Sequence, residues 1–439
     1  MHPKDKLTTE KLSFAIAIHQ QGRLDEAEKI YREVLKMQPS NPNVLHFFGV
    51  LLHQIGQSSK AIQMIQRALS VNPNYLDAQL NLGNILKETG DMTAAAGVFR
   101  KVIAIAPDFA QAHNNLGIVL RSCGEFDESI QCLQRAIELA PQNPDYLHNL
   151  GNSFRDLNEI EKAVDAYQGS IYQKPDQINA YESLWKMLQN KGLLDAANEV
   201  LAKWVKNDPE NEVARHYSSA CAGGNVPDRA TDAYIQETFD KFAASFDHDL
   251  MQLDYRAPEL VGKAVSSSFS KSGKRLVVLD AGCGTGLCGS FLKPYAKILI
   301  GVDLSSGMLN KAKGRMIYSE LVEADLVDYL IQQEIAFDLI VSADTLCYFG
   351  NLIPFLHAAR NRLQANGYLI FTLEKIESSQ DQTFRLNPHG RYSHNQDYVI
   401  KTLEFCGLNL LSIETVVLRQ ESGKPVAGLL ISAALKPTA

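Results

Sequence analysis

The chain has 439 residues, of which 45% are hydrophobic, and its formal net charge is -7. This length exceeds what one hydrophobic core usually organises, so we expect more than one domain. The acidic balance provides no global basic field, which argues against nucleic acid or an anionic membrane surface as a partner.

The seven cysteines are scattered and do not have the spacing of paired metal ligands or of a disulfide framework. This pattern predicts reduced thiols, no metal site and a cytoplasmic location. No apolar stretch follows the charged residues at the N-terminus, and no later run approaches the ~20 apolar residues of a membrane span. We therefore expect neither export nor membrane insertion.

Proline recurs every 34 residues through the first half of the chain, and glycine and small residues recur with the same period. Fixed periods of this size are typical of stacked repeats. Within each unit, apolar residues recur at helical spacing on two segments, which predicts a helical hairpin that buries its apolar face against its neighbours. The periodic prolines are Pro39, Pro73, Pro107, Pro141, Pro175 and Pro209.

This pattern resembles the tetratricopeptide repeat, with six units over about residues 8 to 211, and the segment Asn81 to Asn84 matches the core of its first helix. The resemblance implies an all-α solenoid over residues 1–211. Some units depart from the pattern. Trp185 replaces a glycine in the sixth unit, Asn158 replaces the turn glycine of the fifth, and Ser129 replaces an alanine.

Asn81, Asn115 and Asn149 occupy one repeat position in three successive units, so a superhelix would align them on its concave surface. An amide donates and accepts hydrogen bonds at once, which suits an extended peptide backbone. The repeats of O-linked N-acetylglucosamine transferase hold peptide on a similar asparagine ladder. The three residues are therefore predicted to bind a protein or peptide. The alternatives are an ordinary solvated surface and self-association of the repeats.

The period stops after Pro209, and turn and breaker residues occur from Cys221 to Asp228. Residues 212–230 are therefore predicted to be a linker, and residues 231–439 a second domain. Its first part, from Phe239 to Leu253, has apolar residues at helical spacing.

From Arg275 onward, short apolar strands alternate with helical segments, which is typical of a parallel sheet with helices on both faces. In such sheets, the ligand crevice lies at the carboxyl ends of the strands. The predicted strands are Leu276–Asp280, Ile298–Asp303, Phe337–Ser342 and Tyr368–Leu373.

The first of these strands leads into a loop with Gly282, Gly284 and Gly286. Such glycines let the backbone turn sharply beside a ligand, and the free N–H groups of the following helix favour an anionic group. The next strand ends at Asp303, whose carboxylate can accept hydrogen bonds from both ribose hydroxyls. Together, these features predict an adenosine ligand.

The segment Gly282 to Gly286, Gly-Cys-Gly-Thr-Gly, resembles the signature of class I S-adenosylmethionine-dependent methyltransferases, and further motifs agree in order from Thr231 to Lys436. A nicotinamide dinucleotide would instead expect a glycine at Leu287. The combination is similar to bacterial tetratricopeptide-containing methyltransferases. It implies a C-terminal Rossmann-like, seven-stranded α/β domain closed by a hairpin of Leu408 to Arg419 and Ala427 to Ala434, with S-adenosyl-L-methionine as cofactor.

The resemblance also implies a role for each matching residue. The three loop glycines would contact the methionine portion of the cofactor. The helix before the sheet would cover the cofactor with Phe246 and Asp247, for which a purely packing role is the alternative. Capping of loops is the structural alternative for Asp280 and Asp325. The remaining implied roles are loop or amine binding for Asp280, ribose binding for Asp303, an adenine contact for Asp325, and a sandwich of the adenine ring by Leu304, Met308 and Leu326.

Methyl transfer requires a nucleophile aligned with the methyl carbon, and a base where that nucleophile carries a proton. The segment from His389 to His394 is too polar for a core strand and is predicted to be a substrate loop, with an ordinary surface loop as the alternative. Motifs of enzymes that methylate exocyclic base nitrogens or arginine are missing, so an unidentified oxygen or nitrogen acceptor is expected. The candidate bases are Glu374, His389, Tyr392 and His394, and the candidate substrate-binding residues are Asp344, Tyr348 and Arg391.

Two other functions are compatible with the sequence. One is a non-catalytic interaction scaffold in which the repeats act and the cofactor domain is vestigial. The other is a dinucleotide-dependent oxidoreductase, which would bind reduced nicotinamide more tightly than S-adenosylhomocysteine.

Overall fold

A computed structural model describes residues 3–222, 226–269, 275–377, 382–421 and 423–435. The chain divides into two compact units, Met1–Val200 and Leu201–Ala439. Within the described ranges, no helix combines the length and the apolar character needed to cross a bilayer.

The first five predicted repeat units each fold into a packed pair of helices, and the sixth contains two further helices. The helices are α1 (Pro3–Gln20), α2 (Leu24–Met37), α3 (Pro42–Gln54), α4 (Ser58–Val71), α5 (Leu76–Glu88), α6 (Met92–Ile105), α7 (Ala110–Ser122), α8 (Phe126–Leu139), α9 (Pro144–Asp156), α10 (Ile160–Gln173), α11 (Ile178–Asn190) and α12 (Leu194–Asn207).

Glycine in the first helix of a pair allows the second helix to pack closely. A Cβ atom at Gly83 would lie only 2.5 Å from the ring of Phe99. At the turn between the helices, Gly90 has φ +87°, and Asn158 adopts φ +66° in the fifth unit. Asparagine tolerates this left-handed region better than most residues, which explains how that unit keeps its turn without glycine.

The second unit combines helices with a mixed sheet. Its helices are α13 (Glu212–Cys221), α14 (Asp232–Phe242), α15 (Phe246–Gln252), α16 (Ala257–Ser268), α17 (Gly289–Leu292), α18 (Ser306–Gly314), α19 (Leu326–Gln332), α20 (Ile353–Arg362) and α21 (Gln396–Phe405). Its strands are β1 (Leu276–Ala281), β2 (Ala296–Asp303), β3 (Glu320–Glu323), β4 (Phe337–Ser342), β5 (Leu363–Lys375), β6 (Phe384–Leu386), β7 (Tyr392–His394), β8 (Leu408–Glu421) and β9 (Lys424–Leu435).

Seven of these strands form the predicted Rossmann-like sheet. Strands β3, β2, β1, β4 and β5 are parallel neighbours in that order, β9 pairs antiparallel with β5, and β8 pairs antiparallel with β9. The predicted closing hairpin is therefore confirmed. Two further short strands, β6 and β7, extend the sheet of the described residues to nine, because β7 pairs with the carboxyl end of β5.

Alternate residues of the central strands enter opposite cores. Leu279 and Ile340 belong to the core that includes Phe355 of α20, whereas Val278 and Leu339 belong to the core on the α16 side. Both faces of the sheet are therefore covered, which is typical of parallel sheets. The strand ends are the places where polar side chains can meet a ligand.

Two segments that were predicted to be irregular contain regular structure. The predicted substrate loop contains strand β7, whose residues Tyr392, Ser393 and His394 are all buried. The predicted linker 212–230 begins with helix α13, capped by the Asn211 side chain, which accepts a hydrogen bond from Ala214 N at 2.9 Å. Strand β7 gains its regular structure by pairing with β5 and β6, whereas α13 begins at a local cap.

Candidate active site

The loop after β1 is shaped by glycines in the left-handed region. Gly282, Gly284 and Gly286 have φ values of +78°, +52° and +86°. A Cβ atom at Gly282 would overlap the side chain of Thr345, whereas one at Gly284 would meet no atom within 4 Å. One side of the loop therefore packs against the sheet, and the backbone at Gly284 faces open space.

Asp303 connects the ends of the first two strands. Its Oδ2 accepts a hydrogen bond from Gly284 N at 2.8 Å, and its Oδ1 accepts one from Ser305 N at 2.9 Å. Burial raises the pKa of Asp303, and these backbone hydrogen bonds oppose that rise. Each carboxylate oxygen can accept a further hydrogen bond, so the residue can both fix the glycine loop and contact a ligand.

Asp280 is buried beneath the same loop. Its Oδ2 accepts a hydrogen bond from the Tyr318 hydroxyl at 2.6 Å, and its Oδ1 has no hydrogen-bond partner among the described residues. Burial raises the pKa of Asp280 to about 7 despite the Tyr318 hydrogen bond. A buried acceptor without a partner beside an open glycine loop fits a ligand that supplies a donor, such as an amino group.

On the other side of the strand ends, Asp325 caps helix α19. Its Oδ1 accepts from Val327 N at 2.9 Å and from Asp328 N at 3.0 Å, and its Oδ2 pairs with Arg229 Nη1 at 2.6 Å. The capping alternative for Asp325 is therefore present in the structure. Arg229 and Phe349 line an adjacent cleft of about 200 Å³. The predicted ring contacts Met308 and Leu326 are buried, and Leu304 is partly buried.

Helices α14 and α15 contact the loops after β2 and β1 through carboxylate side chains. Asp240 accepts hydrogen bonds from Ser305 Oγ at 2.5 Å and from Gly307 N at 3.0 Å. Asp247 accepts one from Thr285 Oγ1, also at 2.5 Å. Helix α14 therefore contacts the loop after β2, and helix α15 contacts the glycine loop.

A cluster of buried charges lies at the carboxyl ends of β4 and β5, and we call it the strand-end charge cluster. Its centre is Arg419, which is only 2% exposed and was not recognised in the sequence. Its Nη1 donates to both oxygens of Asp344, at 3.1 and 2.8 Å, and its Nε donates to Glu421 at 2.7 Å. The members are Asp344, Glu374, Arg391, Arg419 and Glu421.

Three predicted site residues, Asp344, Glu374 and Arg391, belong to this cluster. Arg391 Nε donates to Glu374 Oε1 at 2.7 Å, and Arg419 Nη2 donates to the same oxygen. Burial opposes ionisation of Glu374, but the two guanidinium groups outweigh it and lower the pKa of this carboxyl. Arg391 also pairs with Glu421. Arg391 was predicted to bind substrate, but carboxylates of the chain already hold its Nε and Nη2.

The remaining candidates for proton transfer differ in exposure. His389 has a side chain that is 43% exposed, and its Nε2 lies 3.7 Å from Glu374 Oε2. By contrast, His394 is fully buried with its Nε2 on the Gly350 carbonyl, and the Tyr392 hydroxyl donates to the Pro227 carbonyl. The structure therefore brings His389 to the cluster, and His394 and Tyr392 have no accessible side-chain atoms for a substrate.

Tyr348 is the remaining predicted substrate-binding residue and follows strand β4. Its partly buried ring makes an edge contact with Phe239 of α14, with ring centroids 5.4 Å apart. Asp344, four residues earlier, adopts φ +55°, which is uncommon for an aspartate. Its side chain accepts from a single nitrogen, Arg419 Nη1, through both carboxylate oxygens. Among the described residues, no group of three histidine, cysteine or acidic side chains is arranged to hold a metal ion.

Comparisons with known proteins match both parts of the chain. A profile described as a methyltransferase domain matches residues 279–369. Methyltransferase-like protein 27 of Homo sapiens is 31% identical over 179 residues, which cover 36% of this chain and 71% of the human protein. This chain belongs to the methyltransferase family.

A second relative of this methyltransferase is the malonyl-[acyl-carrier protein] O-methyltransferase of Priestia megaterium, which is 27% identical over 164 residues. The match covers 36% of this chain and 56% of that protein. Tetratricopeptide profiles match residues 19–82, 56–114 and 144–177, and a related repeat profile matches residues 117–154. The crystal structure of MamA is 28% identical, covers 37% of this chain and 95% of its own, and has a TM-score of 0.34.

In the repeats of the methyltransferase, the side chains of the predicted asparagine ladder form hydrogen bonds between neighbouring repeat units. Asn81 Nδ2 donates to His46 Nε2 at 2.8 Å, and Asn149 Nδ2 donates to Asn114 Oδ1 at 2.8 Å. Asn115 Nδ2 donates to the Asn84 side chain at 3.0 Å. These amides join adjacent first helices, so part of their capacity to bind a peptide is already used within the array.

Proposed function

We propose that this methyltransferase takes its methyl group from S-adenosyl-L-methionine. The observation that carries the proposal is the open glycine loop, which is tied to Asp303 and lies above the unpartnered Oδ1 of Asp280. When bound, the cofactor supplies an electrophilic methyl group on a sulfonium. The glycine loop and Asp280 would hold its amino-acid portion, and Asp303 would hold the ribose.

The adenine would be held by the residues around the start of α19. Asp325 would accept from the adenine amino group with an oxygen that also serves the cap or Arg229, since carboxylate oxygens accept more than one hydrogen bond. The apolar side chains that flank this position are Leu304, Met308 and Leu326.

The acceptor would be an oxygen or nitrogen nucleophile, and His389 would take its proton. Partial burial lowers the pKa of His389, which keeps the imidazole neutral near pH 7, and its exposed edge can meet a substrate. With Nε2 directed at Glu374, Nδ1 would be the atom that receives the proton. The imidazolium would then be stabilised by the Glu374 carboxylate, which Arg391 and Arg419 keep ionised.

The repeats would recruit the protein that presents this acceptor. One relative is named for methylation of a group attached to an acyl-carrier protein, and a carrier-borne acceptor is compatible with a repeat array that binds proteins. Asn81, Asn115 and Asn149 would contact this partner with the amide capacity left over from the bonds between the repeats. In the catalytic domain, Tyr348, Asp344 and Arg391 would shape the entrance for the acceptor.

The proposal is tested by transfer of a labelled methyl group from S-adenosylmethionine to the protein and small-molecule fractions of a cell extract. We expect His389→Gln to lose about 100-fold or more of the rate, because general-base catalysis contributes about 10²- to 10⁴-fold. His357→Gln is the matched control, since His357 is exposed on α20 and its Nδ1 pairs with Asn361 of the same helix. Equal transfer by wild type and His389→Gln would remove His389 from the mechanism.

A further inference from the structure

The carboxylate of Asp247, on helix α15, is bound by two groups from different parts of the fold. Its Oδ1 accepts a hydrogen bond from Thr285 Oγ1, and its Oδ2 accepts one from Arg315 Nη2, both at 2.5 Å. Thr285 lies in the middle of the glycine loop, and Arg315 follows helix α18. A hydroxyl and a guanidinium that converge on the two oxygens of one carboxylate form a complete carboxylate-binding pair.

This pair is held in place independently of Asp247. Arg315 Nε donates to the Thr285 carbonyl at 2.6 Å. The Arg315 Cδ packs against the loop so closely that a Cβ atom at Gly286 would come within 3.2 Å of it. Thr285 itself is only 1% exposed. The guanidinium and the hydroxyl would therefore stay together on the loop if Asp247 moved away.

Asp247, by contrast, lies on a weakly anchored element. Helix α15 has seven residues and none of them is buried. The Asp247 side chain is 37% exposed, so its carboxylate can return to water at little cost in hydration. Of the three groups in this contact, Asp247 is the one that can be exchanged.

We propose that Thr285 and Arg315 bind the α-carboxylate of the cofactor, and that Asp247 occupies this position when the cofactor is absent. The inference rests on the proposed cofactor. It assigns the two charged groups of the amino-acid portion to opposite ends of one loop: the ammonium to Asp280, whose Oδ1 is unpartnered, and the carboxylate to Thr285 and Arg315. The exchange replaces one carboxylate with another, so Arg315 remains paired throughout.

Calorimetric titration of the full chain with two ligands tests this assignment. S-adenosylhomocysteine carries the amino-acid portion, and 5′-methylthioadenosine keeps the adenosine and sulfur but lacks that portion. We expect Arg315→Met to reduce the affinity for S-adenosylhomocysteine about ten- to hundredfold, as for the loss of a charged hydrogen bond. Binding of methylthioadenosine should change less than about twofold. Lys313→Met is the matched control, because Lys313 is an exposed cation on α18, two residues away.

Asp247→Asn tests the exchange itself. Removal of the internal competitor should tighten S-adenosylhomocysteine about two- to fivefold, the factor expected for a partly exposed ion pair, and leave methylthioadenosine unchanged. Weaker binding of both ligands would instead show that Asp247 holds helix α15 over the bound cofactor. An equal loss of affinity for both ligands in Arg315→Met, with an unchanged melting temperature, would show that Arg315 only organises the loop.

These outcomes are distinct from failure of the proposed function. A folded wild-type chain that binds neither ligand would contradict the cofactor site as a whole and the inference with it. A wild-type chain that binds S-adenosylhomocysteine, with Arg315→Met binding it equally well, would contradict only the assignment of Thr285 and Arg315.

Discussion

The repeats and the catalytic domain both bury polar side chains, but the two hydrogen-bond networks differ in what they connect. In the repeats, Asn149 bonds to Asn114 and Asn81 bonds to His46, each pair 35 residues apart. In the catalytic domain, Arg419 joins Asp344 and Glu374, while one oxygen of Asp280 has no hydrogen-bond partner in the part of the chain that the structure describes. The first network therefore specifies how neighbouring units stack, and the second leaves an acceptor where a ligand can bind.

The largest effect on stability is expected from the loss of Arg419, the central cation of the strand-end charge cluster. Arg419→Met would leave Asp344, Glu374 and Glu421 with Arg391 as the remaining arginine of the cluster. A buried charge that loses its partner costs about 3–5 kcal/mol, so the free energy of unfolding of this domain should fall by that amount. Urea denaturation, with hydrogen exchange of the β4, β5 and β8 peptides, measures the loss.

Arg360→Met, at an exposed position on α20, serves as the control and should cost less than about 0.5 kcal/mol. A similarly small loss for Arg419→Met would mean that the strand-end charge cluster contributes little to the fold.

The repeat network should respond to pH through His46. Burial lowers the pKa of His46 to about 4, against an ordinary value of 6.5. The unfolded chain therefore binds a proton first as the pH falls. His46 should thus lower the free energy of unfolding of the repeats by about 3 kcal/mol between pH 6.5 and pH 4.

His46→Gln retains an acceptor for Asn81 and removes the titrating group. Urea denaturation followed by helical circular dichroism at pH 7, 5 and 4 should show a shallower pH dependence for this variant. Identical pH dependence in both proteins would mean that His46 is not buried as a neutral acceptor.

A smaller effect is expected from two glycines of the same repeat unit. Gly83→Ala brings a methyl group against the ring of Phe99 and should destabilise the repeats by about 1–3 kcal/mol through overpacking. Gly97→Ala adds the same methyl group on an exposed helix face with no atom within 4 Å. It should stabilise the helix by about 0.5–1 kcal/mol. Changes of the same sign in urea denaturation would contradict the packing role of Gly83.

The sequence allowed the periodic and motif-bearing parts of the molecule to be predicted. The 34-residue period locates the helix pairs, because proline and glycine act on the local backbone. The residues after β1 and β2 were identified for the same reason, since the glycine loop and Asp303 are local signals.

Contacts between distant residues could not be predicted in this way. Arg419 meets Asp344 across 75 residues, and Arg315 meets Asp247 across 68. Strand β7 was missed because Tyr-Ser-His is short and polar, and its burial comes from pairing with β5 and β6. Asp280 was recognised as a site residue, but its raised pKa depends on burial that only the fold reveals.

The central claim is that the loop after β1 and Asp303 form a cofactor site, and calorimetric titration with S-adenosylhomocysteine tests it most directly. The wild-type chain should bind, and Asp303→Ala should lose about 100-fold or more in affinity, because it removes the proposed ribose contact and the acceptor of Gly284 N. Asp249→Ala, an exposed carboxylate on α15, should bind like the wild type. No binding by a folded wild-type chain, or undiminished binding by Asp303→Ala, would contradict the account.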